Sequence, residues 1–217
     1  MSSLILIRHG ESFHNITGLT GGWTDTDLTD HGKCQAVLLA ERLNHELSSI
    51  KCQLYCSPLK RACQTAEIIG KELDLKPHLI PELKDVNNGI AEGKTIEMAK
   101  RLEIPRKESY LDWQRYPGSE TYRQFYHRAT NWIDPFMEIQ PHPVIMVTHQ
   151  ENIHCIVTWW LQFDIDSLMK LSFVSYPTSI TVLKRNIRNE RTLERLNDTA
   201  HLLSKSLSEK INLKDDL

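Results

Sequence analysis

Three places in this sequence carry side chains suited to handling an anion. Arg8-His9 follows the apolar run Leu4-Ile5-Leu6-Ile7, Arg61 follows Ser57-Pro58, and His149 ends the run Val144-Ile145-Met146-Val147-Thr148. A guanidinium presents a planar fork of donors that matches phosphate oxygens. An imidazole with a free lone pair can attack phosphorus and carry the phosphoryl group as a covalent phosphohistidine. Arg8, Arg61 and a protonated His149 would spread the charge of a phosphoryl group in flight, a job metal ions do elsewhere. No carboxylate cluster is spaced to hold such a metal. Taken singly, each residue has an ordinary explanation: a satisfied Arg-His pair, a solvated helix arginine beside Lys60, a histidine capping a helix. Three strand ends with cargo of one chemical kind argue instead for a shared site.

Such a site needs strands that end side by side. Leu4 to Ile7 and Val144 to Thr148 are short continuous apolar runs, the pattern of strands buried on both faces of a parallel sheet. Gln53 to Cys56 reads as a further strand, Pro77 to Ile80 as a third, and Ser179 to Leu183 as a last one at an edge. Between them the apolar spacing predicts helices over about 30–47, from Ser57-Pro58 at Ncap and N1 through Leu73, and over 119–138, 153–161 and 191–209. Residues 81–118 are irregular, with one helix near 94–103. Strands alternating with helices predict an α/β fold with a mostly parallel central sheet, in one domain over 1–217. In open parallel sheets ligands bind beyond the carboxyl ends of the strands, where helix N-termini add N–H donors. Arg8, His9, Arg61 and His149 all fall there.

The chain has 217 residues and a net charge of −2, which gives no electrostatic case for nucleic acid or an anionic membrane as partner. Five cysteines without a C-x-x-C pair read as reduced thiols, and the opening apolar run is too short for a secretion signal or a membrane span. A cytoplasmic location follows as the expectation. Oligomeric state is not legible.

The segments L-I-R-H-G-E-S-F-H-N, D-L-T-D-H-G-K-C-Q-A, C-S-P-L-K-R-A-C-Q-T-A and V-I-M-V-T-H-Q resemble the histidine phosphatase superfamily, the phosphoglycerate mutase-like fold. The resemblance implies a three-layer α/β/α sandwich and phosphate-monoester hydrolysis through a phosphohistidine, with no metal or other cofactor. It implies His9 as nucleophile and Arg8, Arg61 and His149 as the rest of the phosphate pocket. Asn15 matches a phosphate-touching asparagine, and Gly22 a loop position whose backbone approaches the substrate. Where the family usually has Gly after the second histidine, Gln150 stands, and its backbone N–H can still bind phosphate. The family's proton donor is a glutamate in L-x-E-x-x-x-G-x-x-E-G; here L-K-D-V-N-N-G-I-A-E-G puts Asp85 in that place, one methylene shorter, with Glu82 and Glu92 as alternative acids.

Two alternatives share this core. One is mutase-type phosphoryl transfer; the cations of 93–118 (Lys94, Lys100, Arg101, Arg106, Lys107, Arg115) interleave with acids and match no mutase pattern, which favours the phosphatase. The other is a catalytically weak module that binds a phospho-ligand. G-I-A-E-G-K-T is one residue short between its glycines for a P-loop, and no H-E-x-x-H pair supports a metal hydrolase. The substrate expected is a phosphorylated small molecule, with phosphoproteins as a further class. The loops 13–25 and 85–118, with Phe13, Trp23, Trp113 and Tyr116, would shape its apolar wall.

Overall fold

The computed structural model describes residues 3–203. Its sheet has six strands: β1 (Leu4–Arg8), β2 (Gln53–Cys56), β3 (His78–Leu79), β4 (Val144–Thr148), β5 (Ile180–Arg185) and β6 (Arg191–Asp198). Their order is β3-β2-β4-β1-β5-β6. β3, β2, β4 and β1 run parallel, and β5 and β6 are added antiparallel beyond β1.

The apolar runs are continuous because both faces of the sheet are covered. Ile5, Ile7, Leu54, Ile145 and Val147 pack against Leu39, Ala40 and Leu43 of α2 (Asp30–Leu47) and Ala62, Ala66 and Ile69 of α3 (Lys60–Leu73). Leu4, Leu6, Val144 and Met146 point the other way, against Ile133 of α6 (Ile133–Glu138) and Ile153, Ile156 and Val157 of α7 (Gln150–Trp160). The alternation is the period-two geometry of a strand, and it yields three layers. A smaller core joins α5 (Tyr122–Thr130) to α7 through Phe125, Ala129 and Cys155. The short helices α1 (Phe13–Thr17) and α4 (Ile96–Lys100) sit in the two loop regions over the strand ends.

The strand and helix expectations hold in kind, and four details differ. The helix after β2 starts at Lys60, with Leu59 at its N-cap, rather than at Ser57-Pro58. The helix expected over 119–138 is two, because a continuous one would place Pro135 in its interior; in α6 Pro135 falls in the first turn, where its missing N–H costs nothing. The last strand is not an edge, since β6 pairs beyond it. The C-terminal helix expected near 191–209 does not form over 191–198. A tight turn, with Asn186 N bonded to Glu190 O and Asn189 at φ 63°, returns the chain as β6, and the backbone groups of Arg191–Asp198 pair with β5. Positions 204–209 of that expectation lie outside the described residues.

Candidate active site

β1, β2 and β4 end side by side, and their next residues form one cluster. The His9 backbone N–H donates to the Thr148 carbonyl at 3.0 Å, and the Ser57 N–H to the Val147 carbonyl at 2.9 Å. These bonds extend the parallel ladder by one step and fix where the three segments leave the sheet.

His9 is buried, and its tautomer follows from its partners. Nδ1 lies 2.6 Å from the Gly10 carbonyl, and Arg61 Nε donates to Nε2 at 3.1 Å. A carbonyl only accepts and a guanidinium only donates, so the proton is assigned to Nδ1 and the lone pair to Nε2. Burial, then the Arg61 and Arg8 charges, push its pKa well below the ordinary imidazole value. His9 is therefore a neutral ring with its lone pair among cationic donors, the state a nucleophile requires.

Arg61 is fully buried and held from several directions. Nη1 donates to the Thr24 carbonyl at 2.8 Å, and Nη2 to the Gly22 carbonyl at 2.8 Å and to Asp85 Oδ2 at 3.2 Å. Arg8 Nη1 donates to Gln150 Oε1 at 2.7 Å and to the Ser175 carbonyl at 2.6 Å. Gln150 thus steers Arg8 through its side chain, a role beyond the backbone contact expected of it.

The His149 ring lies 5.1 Å from that of His9. Its Nε2 is 2.9 Å from Ser57 Oγ, and its Nδ1 is 3.8 Å from Asp85 Oδ2, beyond hydrogen-bond reach. Burial, then Arg61 and His9, push its pKa well down. The ring is neutral in this arrangement, so the protonated His149 expected to meet a phosphoryl group would have to gain its proton when that group arrives. Ser57 is not a helix cap after all: its hydroxyl serves His149 and the Leu59 N–H.

Asp85 joins the cluster. Its Oδ1 accepts from the Val86 N–H at 2.9 Å, and its backbone carbonyl accepts from Trp23 Nε1 at 2.7 Å and Arg128 Nη2 at 2.9 Å. The loop is pinned so that the shorter acid still reaches Arg61. Gly22 has φ 62°, and a Cβ there would sit 2.5 Å from the Val86 carbonyl. Asn15 is not drawn into the cluster by its own bonds: Oδ1 accepts from the Ser12 N–H and hydroxyl, and Nδ2 meets His14.

Two features escaped the sequence reading. The His14 ring lies 5.9 Å from that of His9, tilted 56° to it, and burial with the Arg61 and Arg8 charges lowers its pKa to about 3. The R-H-G-E-S-F-H-N stretch contained that signal. The second is Glu151, which lines a cavity of about 640 Å³ that adjoins the cluster through Gly22 and Val86. Trp113 and Tyr116 line the same cavity as expected. Phe13 is exposed, and Trp23 is covered by Lys84, whose Nζ is 4.1 Å from its ring centroid. Of the cations of 93–118, only Lys94, Lys100, Arg106 and Lys107 form no described ion pair, and only Lys100 and Arg115 line the cavity.

Comparison with known proteins places the chain in a family. The family model described as the histidine phosphatase superfamily, branch 1, matches residues 4–199. A fructose-2,6-bisphosphatase of Saccharomyces cerevisiae is 30% identical over 198 residues, covering 84% of this chain and 41% of its own length. This chain thus spans less than half of that relative. Phosphoserine phosphatase 1 of Hydrogenobacter thermophilus is 29% identical over 211 residues, covering 93% of this chain and 95% of its own. The crystal structure of the alpha-ribazole phosphatase from Shigella flexneri superimposes with a TM-score of 0.76 at 27% identity, covering 91% of this chain and 96% of that one.

Proposed function

The chain belongs to the histidine phosphatase superfamily, and from that premise we propose that it hydrolyses phosphate monoesters through a covalent phosphohistidine on His9. The observation that carries this reading is the His9 tautomer: Nδ1–H is tied to Gly10, and Nε2 offers its lone pair where Arg61 reaches it. Nε2 attacks phosphorus and the ester P–O bond breaks. Arg8 and Arg61 take the phosphoryl oxygens, and His149, drawn toward protonation by the incoming dianion, adds a third donor. Asp85 gives its proton to the departing alkoxide. The resulting carboxylate then takes a proton from water as that water attacks the phosphohistidine; the P–N bond breaks, phosphate forms, and Asp85 is again an acid. No step calls for a metal or other cofactor. Gly22 would border the phosphate through its backbone, and Asn15, in α1, would have to leave its Ser12 and His14 partners to reach it.

The relatives' names point to different esters, so the natural substrate is read from the site rather than from them. A small phosphorylated molecule fits the cavity. Among the described residues no helix is long and apolar enough to cross a membrane, and the five free cysteines support a reducing, cytoplasmic setting. The test is to mix the protein with p-nitrophenyl phosphate and quench with denaturant. The expected result is an acid-labile, base-stable phosphoenzyme that is lost, with at least about a 10³-fold drop in turnover, in His9→Ala. Full activity in a folded His9→Ala variant would sink the assignment.

A further inference from the structure

We propose that Glu151, backed by Tyr122, selects the leaving group: the site favours phosphomonoesters whose alcohol carries hydroxyl or ammonium donors and rejects those bearing a second anion. This rests on the phosphatase reading and adds which esters are taken.

Glu151 follows His149 and Gln150 in the first turn of α7. The helix start that delivers a phosphate-pocket histidine and the partner of Arg8 therefore also delivers a carboxylate to the cavity wall. Asn87 and Asn88, in the loop that follows Asp85, line the same cavity. A leaving group attached to a phosphoryl on His9 and protonated by Asp85 extends into this space. Tyr122 donates its hydroxyl hydrogen to Glu151 Oε2, which fixes the carboxylate and leaves Oε1 without a described partner. Glu151 forms no ion pair among the described residues.

Two of the cations near this space are committed elsewhere, and the third stays outside it. Arg115 is paired with Glu103 and lies over the Trp113 and Tyr116 rings. Arg128 is paired with Glu120 and holds the carbonyls of Glu82, Lys84 and Asp85. Lys100 is exposed at the rim, on α4. The interior thus offers a carboxylate, amides and aromatic faces. A hydroxyl or ammonium group satisfies Glu151, whereas a carboxylate or phosphate meets a like charge. Specificity by repulsion of the wrong ligand is as effective as attraction of the right one.

The charge on Glu151 also gives a signature. Burial, then the charge of Asp85, push its pKa up, while the Tyr122 bond and Arg8 oppose this. Of the other groups around it, burial raises Tyr122 and Cys155 and lowers His154, which in each case favours the neutral form. Glu120 is held by Arg128. As pH falls, Glu151 gains its proton earlier than an ordinary glutamate, and the repulsion fades.

Glycerol 3-phosphate and 3-phosphoglycerate test this, since they differ only in a hydroxymethyl against a carboxylate beyond a shared phosphate ester. The wild-type protein should favour the former in kcat/KM by about tenfold or more at pH 8, equivalent to about 1.4 kcal/mol, and the gap should narrow toward pH 5.5. Glu151→Gln should collapse the ratio to within about threefold and flatten its pH dependence. Tyr122→Phe should shift the narrowing to higher pH, and it serves if Glu151→Gln does not fold. A merely structural Glu151 would change both substrates alike. Equal or better use of 3-phosphoglycerate by the wild type, or an unchanged ratio in Glu151→Gln, overturns the inference while p-nitrophenyl phosphate hydrolysis keeps the phosphatase reading intact. Loss of that hydrolysis in the wild type would sink both.

Discussion

Replacing Asp85 by Asn separates proton donation from every other role of this residue. The side chains are nearly isosteric, and Asn keeps an acceptor for the Val86 N–H that Oδ1 accepts at 2.9 Å. What disappears is the acid, together with the Oδ2 acceptor that Arg61 Nη2 meets at 3.2 Å. Loss of a positioned acid typically costs about 10²–10⁴ in rate when the leaving group needs the proton. Glycerol 3-phosphate releases an alkoxide and should lose about 10²–10³ in kcat/KM. p-Nitrophenyl phosphate releases a stabilised anion and should lose less than about tenfold. Loss of the carboxylate also removes a competitor for Arg61, so KM should fall for both esters rather than rise. The comparison belongs on kcat/KM, because that ratio covers steps only through phosphoryl transfer to His9. Asp85 also acts in phosphohistidine hydrolysis, which would depress kcat for both substrates and produce a burst of nitrophenolate equal to the enzyme present. The assay is phosphate release for one ester and nitrophenolate absorbance for the other. If kcat/KM falls by the same factor on both, Asp85 is not the proton donor, and Glu82 or Glu92 becomes the acid to test.

Gly22→Ala should lower stability by about 1–3 kcal/mol and raise KM, because φ 62° suits glycine and the new Cβ would press on the Val86 carbonyl, moving an acceptor of Arg61; urea midpoints and steady-state kinetics check this, and an unchanged KM would contradict it. Stability should also fall between pH 6.5 and 5.5. His9, His14 and His149 all have folded pKa values below the free imidazole value, so the unfolded chain takes up protons first and stability is fully present only above about 6.5. Each fully buried histidine contributes a slope of up to about 1.4 kcal/mol per pH unit, His14 less because it is partly exposed, and Glu151 offsets part of the loss. A flat stability profile over that unit of pH would contradict the neutral, buried state of these rings.

The strands, and the gathering of Arg8, His9, Arg61 and His149 at their ends, were legible because their signals are local. Leu4 to Ile7 and Val144 to Thr148 are apolar without interruption, and each delivers its charged residue at the next step of the ladder. What was not legible depended on pairing across the fold. Leu193, Leu196 and Ala200 fit a helical period, but the unused backbone groups of β5 and the turn at Asn189 make 191–198 a strand. Ser57-Pro58 reads as a helix start until His149, 92 residues away in sequence, claims the serine hydroxyl. The same holds for Glu151: nothing in H-Q-E-N says that Tyr122 will bond it or that Arg115 and Arg128 will be engaged elsewhere. Protonation states are the extreme case, since the neutrality of His149 comes from burial beside Arg61, which only the fold supplies.

Arg61 shows how such pairing becomes mechanism. Its guanidinium meets four acceptors from three segments: His9 Nε2, the Thr24 and Gly22 carbonyls of one loop, and Asp85 Oδ2. Two are backbone groups that hold the cation in place. The other two are the atoms that react in the proposed mechanism, one as nucleophile and one as acid. A phosphoryl group that bonds to Arg61 takes over those two bonds, freeing the His9 lone pair for attack and the Asp85 carboxyl for the leaving oxygen in one event. The backbone bonds remain, so the cation hardly moves and little reorganisation is left for the reaction itself. A lysine, with a single ammonium, could not span this set of acceptors. In the proposed reaction, arginine at this position therefore couples the nucleophile to the acid as well as binding the phosphate. Asp85, although a methylene shorter than glutamate, suffices because the Trp23 and Arg128 bonds to its backbone carry it to the same guanidinium.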